Sequence, residues 1–306
     1  MKWMGLAASL AVPFVVADEY LLNVFILIWM NVALGSAWNI IGGYGGQHSL
    51  GHAAFFGIGA YLTLLFFQEW GSDPWLGMLS GAALSTLAAA TVGWICFRLR
   101  GPYFTLSSIA LAEVLRIITI NWRSVTRGAE GILLAPDKIP MIFGQPLVGK
   151  LPFYYMMLGI AIISVALTAW IARSRLGYAL VAVREDQDAA EALGVDATAT
   201  KVLGLIVSAA LVSATGSVFA LYLRYVDPDT VLTLHRSVDM LLVAIMGGMG
   251  TVFGPVLGGI VLSGISETFR AFTGQANLLL YGIMVIVVIL YLPGGLLGAL
   301  RGKGRH

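Results

Sequence analysis

Residues 20–41 carry no charged side chain, and apolar runs of this kind recur along the whole chain of 306 residues. Inside hydrocarbon a backbone must satisfy its own N–H and C=O groups, which a helix does within one segment. A membrane-crossing helix needs roughly 17 to 25 residues, and several of the runs have that length. Composition agrees: hydrophobic residues make up 58% of the chain and charged residues 11%, against about 25% charged in soluble domains. The 37 glycines suit closely packed membrane helices. A net charge of +2 is too small to point to nucleic acid, and the lone Cys96 excludes an internal disulfide.

Taken in order, the chain offers a short apolar run at 1–17, read as a retained first span rather than a cleaved leader. Spans follow at 20–41, from Gln47 or Ser49 to about 67, and at 74–97, 102–120, 151–171 and 202–223. A run at 238–245 is too short to cross alone, and 251–265 and 276–297 complete the set. Asn23, Asn31 and Asn39 recur every eight residues, so they lie near one helix face, against neighbouring helices. Glycine-rich breaks at 42–51 and 247–254 interrupt two of the segments, and paired breaks in two halves point to a transporter repeat. The expected fold is an all-α polytopic membrane protein, one transmembrane domain over 1–306 with about ten spans, two short or broken. Its longest polar insertion apart from 173–201 is 121–150.

Charge concentrates at 173–201, where nine of the 34 charged residues stand in 29 positions. That density cannot lie in hydrocarbon, so the stretch is an aqueous loop. It also has helical order. Asp186 is placed to cap a short helix over 186–193, with Glu185 and Asp186 favourable near its N-terminus. Ala189, Ala190 and Leu193 then share one face, Arg184, Asp188 and Glu191 form a stripe on another, and Gly194 sits where a left-handed residue ends a helix.

Other residues invite chemistry. Glu113 and Arg116 are ionisable groups inside an apolar run, three apart, and can pair along a helix. Thr105 and Ser108 extend that polar stripe toward one end. A zwitterionic amino acid passing it meets hydroxyls and both charges; the plainer reading is a self-satisfied pair near an interface. Glu113 alone, as a proton or sodium site, supports a second class, an ion-coupled carrier of small polar solutes. His48 and His52 have the i, i+4 spacing of a metal pair, which gives a third class, an intramembrane metalloenzyme. No carboxylate completes that set, so the imidazoles are expected to bond the backbone at the helix break, and no metal is expected. The segment 144–151 imitates a phosphate-binding loop, but Leu151 stands where Ser or Thr is needed and Pro146 interrupts it. No catalytic set can be argued, so the chain is expected to be no enzyme.

The stretch Asp188-Ala189-Ala190-Glu191-Ala192-Leu193-Gly194 resembles the coupling loop of ABC importer permeases. Its surroundings, and the segments at 42–61, 100–118 and 243–265, look like the branched-chain amino acid permeases. The resemblance implies a permease subunit in the inner membrane, paired with a homologous second permease. It also implies two ATP-binding subunits, which hold the ATP and Mg, and an external solute-binding protein. The helix 186–193 would sit in a groove of an ATPase, with Arg184, Glu185, Asp186, Asp188, Ala189, Ala190, Glu191, Leu193 and Gly194 as the coupling residues. Alternating access would flex at Gly45, Gly46, Gly51, Gly247, Gly248, Gly250 and Gly254, around a path through Thr105, Ser108, Glu113 and Arg116. With that loop in the cytoplasm, alternation puts 121–150 outside and both termini inside. Ten Lys and Arg then lie inside and seven, Arg236 among them, outside.

Overall fold

The computed structural model describes residues 18–301 except 72, 99–101, 136, 143–144, 274–281 and 283–293, and also residues 9–10 and 12–13. The fold is predominantly helical. α1 (Glu19–Asn39) widens into a π-helical turn (Ile40–Tyr44) and is followed by α2 (His52–Gln68), α3 (Pro74–Cys96) and α4 (Pro102–Asn121). After the short α5 (Arg123–Thr126) come α6 (Leu151–Ile171), α7 (Arg175–Glu185), α8 (Gln187–Ala192) and α9 (Ala197–Leu223). The chain closes with α10 (Pro228–Val231), α11 (Leu234–Gly247), α12 (Gly254–Thr273) and α13 (Gly295–Arg301). Two small ribbons accompany them. β1 (Ile132–Leu133) pairs antiparallel with β4 (Tyr225–Val226), and β2 (Met141–Ile142) with β3 (Gln145–Pro146).

Among the described residues, six segments are long and apolar enough to cross a membrane, and α2 is a shorter apolar helix. Two expectations change. The run at 238–245 is not an isolated fragment: it is the end of Pro228–Gly247, one of the six. The polar link expected at 224–236 is therefore mostly helix within that segment. The second helix starts neither at Gln47 nor at Ser49; residues 45–51 form neither helix nor strand and α2 begins at His52, with Gly51 as its N-cap residue. The expected runs at 1–17 and 276–297 fall largely outside the described residues.

α1 and α9 form the centre, with 72% of their most apolar stretches enclosed, while α4 is the least enclosed at 22%. Lipid cannot drive apolar helices together, so close backbone contact and small polar groups must do so. A Cβ on Gly59 would lie 2.0 Å from the Ser213 carbonyl oxygen, and one on Gly216 2.2 Å from that of Phe56, so α2 and α9 touch backbone to backbone. Ser217 donates to the Gly59 carbonyl at 3.1 Å and Ser208 to that of Ala37 at 2.7 Å. The asparagines of α1 each reach a different neighbour. Asn23 accepts from Tyr222, Asn31 donates to Ser263, and Asn39 reaches the second glycine break. On α3, Leu79, Leu87 and Ile95 are exposed at eight-residue spacing, the face left for lipid.

Candidate functional site

The charged loop is a folded arm. Ser174 caps α7, its hydroxyl accepting from the Gly177 N–H at 3.3 Å, and Asp186 caps α8, accepting from the Ala189 N–H at 3.0 Å. Val183, Ala190 and Ala197 form a small core beneath the two helices. Lys201, almost fully buried, donates to Gln187 at 2.8 Å, and Gln187 donates to Glu191 at 2.9 Å. Gly194 adopts φ +87° and ends the arm as a left-handed residue.

Three expectations for this arm need correction. Ala190 faces the arm's own core, so Ala189 and Leu193 alone of the expected ridge are exposed, Leu193 at 86%. Glu185 belongs to the last turn of α7 rather than the first turn of α8. The stripe through Arg184, Asp188 and Glu191 does not exist, because Asp186 is extended at φ −155° and separates two helices. Helical periodicity fails across any break of this kind.

Arg184 instead points back into the bundle. Its Nη1 donates to the Gly43 carbonyl at 2.9 Å, inside the π-helical turn, while Nε holds Glu185 at 3.0 Å. A Cβ on Gly46 would lie 2.5 Å from the Arg184 Cγ, and one on Gly250 3.1 Å from its Nη1. Both glycines have positive φ, +65° and +70°. The two glycine breaks thus meet, which nothing in their sequence spacing reveals. Asn39 fastens them, accepting from the Gly250 N–H and donating to the Thr251 carbonyl, both at 2.9 Å. A cavity of about 420 Å³ opens beside the junction, lined among others by Gly43, Gly46, His48, Arg184 and Met249.

The other expected hinge glycines are tight-packing positions. A Cβ on Gly51 would meet the Ser108 carbonyl at 2.6 Å, one on Gly247 the Gly254 carbonyl at 1.7 Å, and one on Gly254 the Gly248 carbonyl at 2.2 Å. Gly248 has φ +120°, and Gly45 lies against Ile41 and Leu180.

On α4 the expected stripe divides into two functions. Thr105 donates to the His48 carbonyl at 2.9 Å, and Ser108 accepts from the Leu50 N–H at 3.0 Å, so these hydroxyls satisfy the non-helical backbone of the first break. Glu113 and Arg116 pair at 2.7 Å, and Arg116 also holds Asp229 of α10 at 2.9 Å, a third member the sequence did not suggest. The histidines do not share a helix face: His48 precedes α2. His52, fully buried, bonds the hydroxyls of Ser49 and Ser208, both at 2.9 Å, rather than the expected backbone.

α11 supplies polar groups that sequence reading put in water. Ser237 accepts from the Ala53 N–H at 2.8 Å, deep between helices. Arg236 lies over the rings of Phe56 and Phe219, 5.3 Å from each centroid, and His235 stands 3.8 Å from Asp239. The three-residue step from Arg236 to Asp239 was the available signal, masked by the preceding polar residues.

Comparison with known proteins agrees with this architecture. A family model described as "Branched-chain amino acid transport system / permease component" matches residues 20–290. The permease protein LivM of Salmonella typhimurium, named for high-affinity branched-chain amino acid transport, is 28% identical, covering 97% of this chain and 74% of its own. BraD of Pseudomonas aeruginosa, named for the same transport, is 26% identical over 87% of this chain and 90% of its own. LivH of Escherichia coli is 25% identical over 87% of this chain and 93% of its own. No solved structure matches. A family match over most of the chain, on a bundle with the six long apolar segments described above, makes this a polytopic membrane protein of the branched-chain amino acid transport permease family.

Proposed function

We propose that the chain is the permease subunit of an ATP-driven importer for branched-chain amino acids or related small solutes such as urea and short amides. It would work in the inner membrane with a second permease, two ATP-binding subunits holding ATP and Mg, and an external solute-binding protein. About ten crossings, with both termini and the arm in the cytoplasm, complete this reading. The observation that carries it is the arm itself, a folded element at 173–201 presenting the exposed Leu193 and Ala189 beside a left-handed Gly194.

The mechanism follows from Arg184. α8 is continuous in chain with α7, and Arg184 on α7 grips the Gly43 carbonyl while lying against Gly46 and Gly250. A displacement of α8 by an ATPase therefore acts on both glycine breaks through one side chain. Neither break is regular helix, so each can change backbone angles at lower cost than a helix interior. The path runs past Glu113 and Arg116 at the outer end, with Thr105 and Ser108 securing its inner wall. Solute uptake and ATPase activity, measured together in proteoliposomes of the whole importer, test this. Arg184→Met is expected to cut uptake at least tenfold while ATP hydrolysis by the assembled complex continues. Uptake that stays proportional to hydrolysis in this variant would rule out the linkage.

A further inference from the structure

We propose that Arg236 is the carboxylate-binding residue of the translocation path, receiving the α-carboxylate of an amino acid solute within the bundle; this rests on the transport reading above. Depth comes first. His52 bonds Ser208, which stands near the middle of α9 (Ala197–Leu223), and the neighbouring Ala53 bonds Ser237. Arg236 is adjacent to Ser237, and its guanidinium reaches Phe219, four residues before the end of α9, so it sits within the bundle between the middle of α9 and that end. An ionisable group at that depth is costly unless it meets a counter-charge or an aqueous path.

The surroundings of the guanidinium are the second observation. Phe56 and Phe219, both buried, hold it by their ring faces, and such contacts leave its N–H donors unspent. Among the described residues it makes no hydrogen bond through those donors, and the charge it faces is that of Asp239, three residues on along the same helix. Its planar fork matches a carboxylate, two parallel N–H···O bonds at once. The two rings fix the fork in place and exclude water from one side.

Third, the helix face around it is open and polar. His235 is 64% exposed and Asp239 22%, although α11 lies within a segment apolar enough to span. An exposed polar face at that depth belongs against water or solute, not lipid. Asp239 carries the opposite charge one turn on and is itself engaged, with His235 at 3.8 Å.

The test uses the whole importer in proteoliposomes, with Cys96→Ala removing the native thiol and radiolabelled leucine as the probe. Arg236→Cys is expected to lower leucine uptake at least tenfold, and Arg236→Lys to retain more uptake than Arg236→Met. Treating Arg236→Cys with 2-aminoethyl methanethiosulfonate should restore uptake several-fold by returning a cation, whereas the 2-sulfonatoethyl reagent should not. Leucine should slow the labelling several-fold. Wild-type uptake by Arg236→Cys or Arg236→Met, no labelling in the working complex, or equal failure of both reagents to restore uptake would overturn the proposal. So would loss of the second permease from the purified Arg236→Met complex, which would make Arg236 an interface residue. A wild-type complex that takes up no leucine overturns the amino-acid form of the transport reading, and that failure is visible without any variant.

Discussion

Asn39 shows how much one side chain can decide. It is fully buried and satisfies one donor and one acceptor of the second glycine break, at Gly250 and Thr251. Leucine at this position would leave both backbone groups unpaired, at about 1 to 3 kcal/mol each. We expect Asn39→Leu to lower the thermal midpoint of the purified complex clearly, and an unchanged midpoint would show the junction to be unimportant. Gly46 gives a sharper case. Any side chain there pays the left-handed cost of about 1 to 2 kcal/mol, and its Cβ also collides with the Arg184 side chain. Gly46→Val should therefore mimic Arg184→Met, with uptake lost before hydrolysis. Gly194 has the same backbone demand at φ +87° but nothing within 4 Å of a Cβ. Because asparagine tolerates that conformation, Gly194→Asn should keep most of its uptake, while Gly194→Val should lose most of it, read in the same assay.

At the scale of elements, the arm is a folded pair of helices rather than a solvated loop. α7 rests on the bundle through Leu180, which is fully buried, and α8 rests on α7 and α9 through Ala190, Val183 and Ala197. What remains outside is Leu193. Such an exposed apolar knob on a charged arm suits a partner groove. Leu193→Asp is expected to weaken co-purification of the ATP-binding subunits at least tenfold while the permease still inserts, and undiminished co-purification would place their docking elsewhere. Glu191→Lys should uncouple less severely, because Glu191 is held by Gln187 within the arm.

For the whole molecule, the weakly enclosed α4, with 22% of its most apolar stretch buried, leaves this chain unfinished by itself. A working importer must cover that helix. The purified chain alone, in liposomes under a proton or sodium gradient, is therefore expected to transport no leucine; gradient-driven uptake without ATP would favour the ion-coupled carrier. At this scale the sequence was most legible. Long charge-free runs forced helices, the family was visible in the arm and the glycine segments, and Asp186 and Gly194 announced their caps through local backbone chemistry. The site was less legible, because its contacts join residues far apart in the chain: Arg116 with Asp229, and Arg184 with Gly43.

The sequence by itself determined a helical membrane protein, the place of its arm and the two glycine breaks, since hydrophobic run length, capping and left-handed glycine are local properties. Only the tertiary structure decided that the breaks meet, that Arg184 joins them, that Thr105 and Ser108 serve the backbone and that Arg236 lies between the rings of Phe56 and Phe219. Those outcomes depend on which helices pack together and at what height. Interhelical hydrogen bonds and glycine contacts set that height, and run length alone does not encode them.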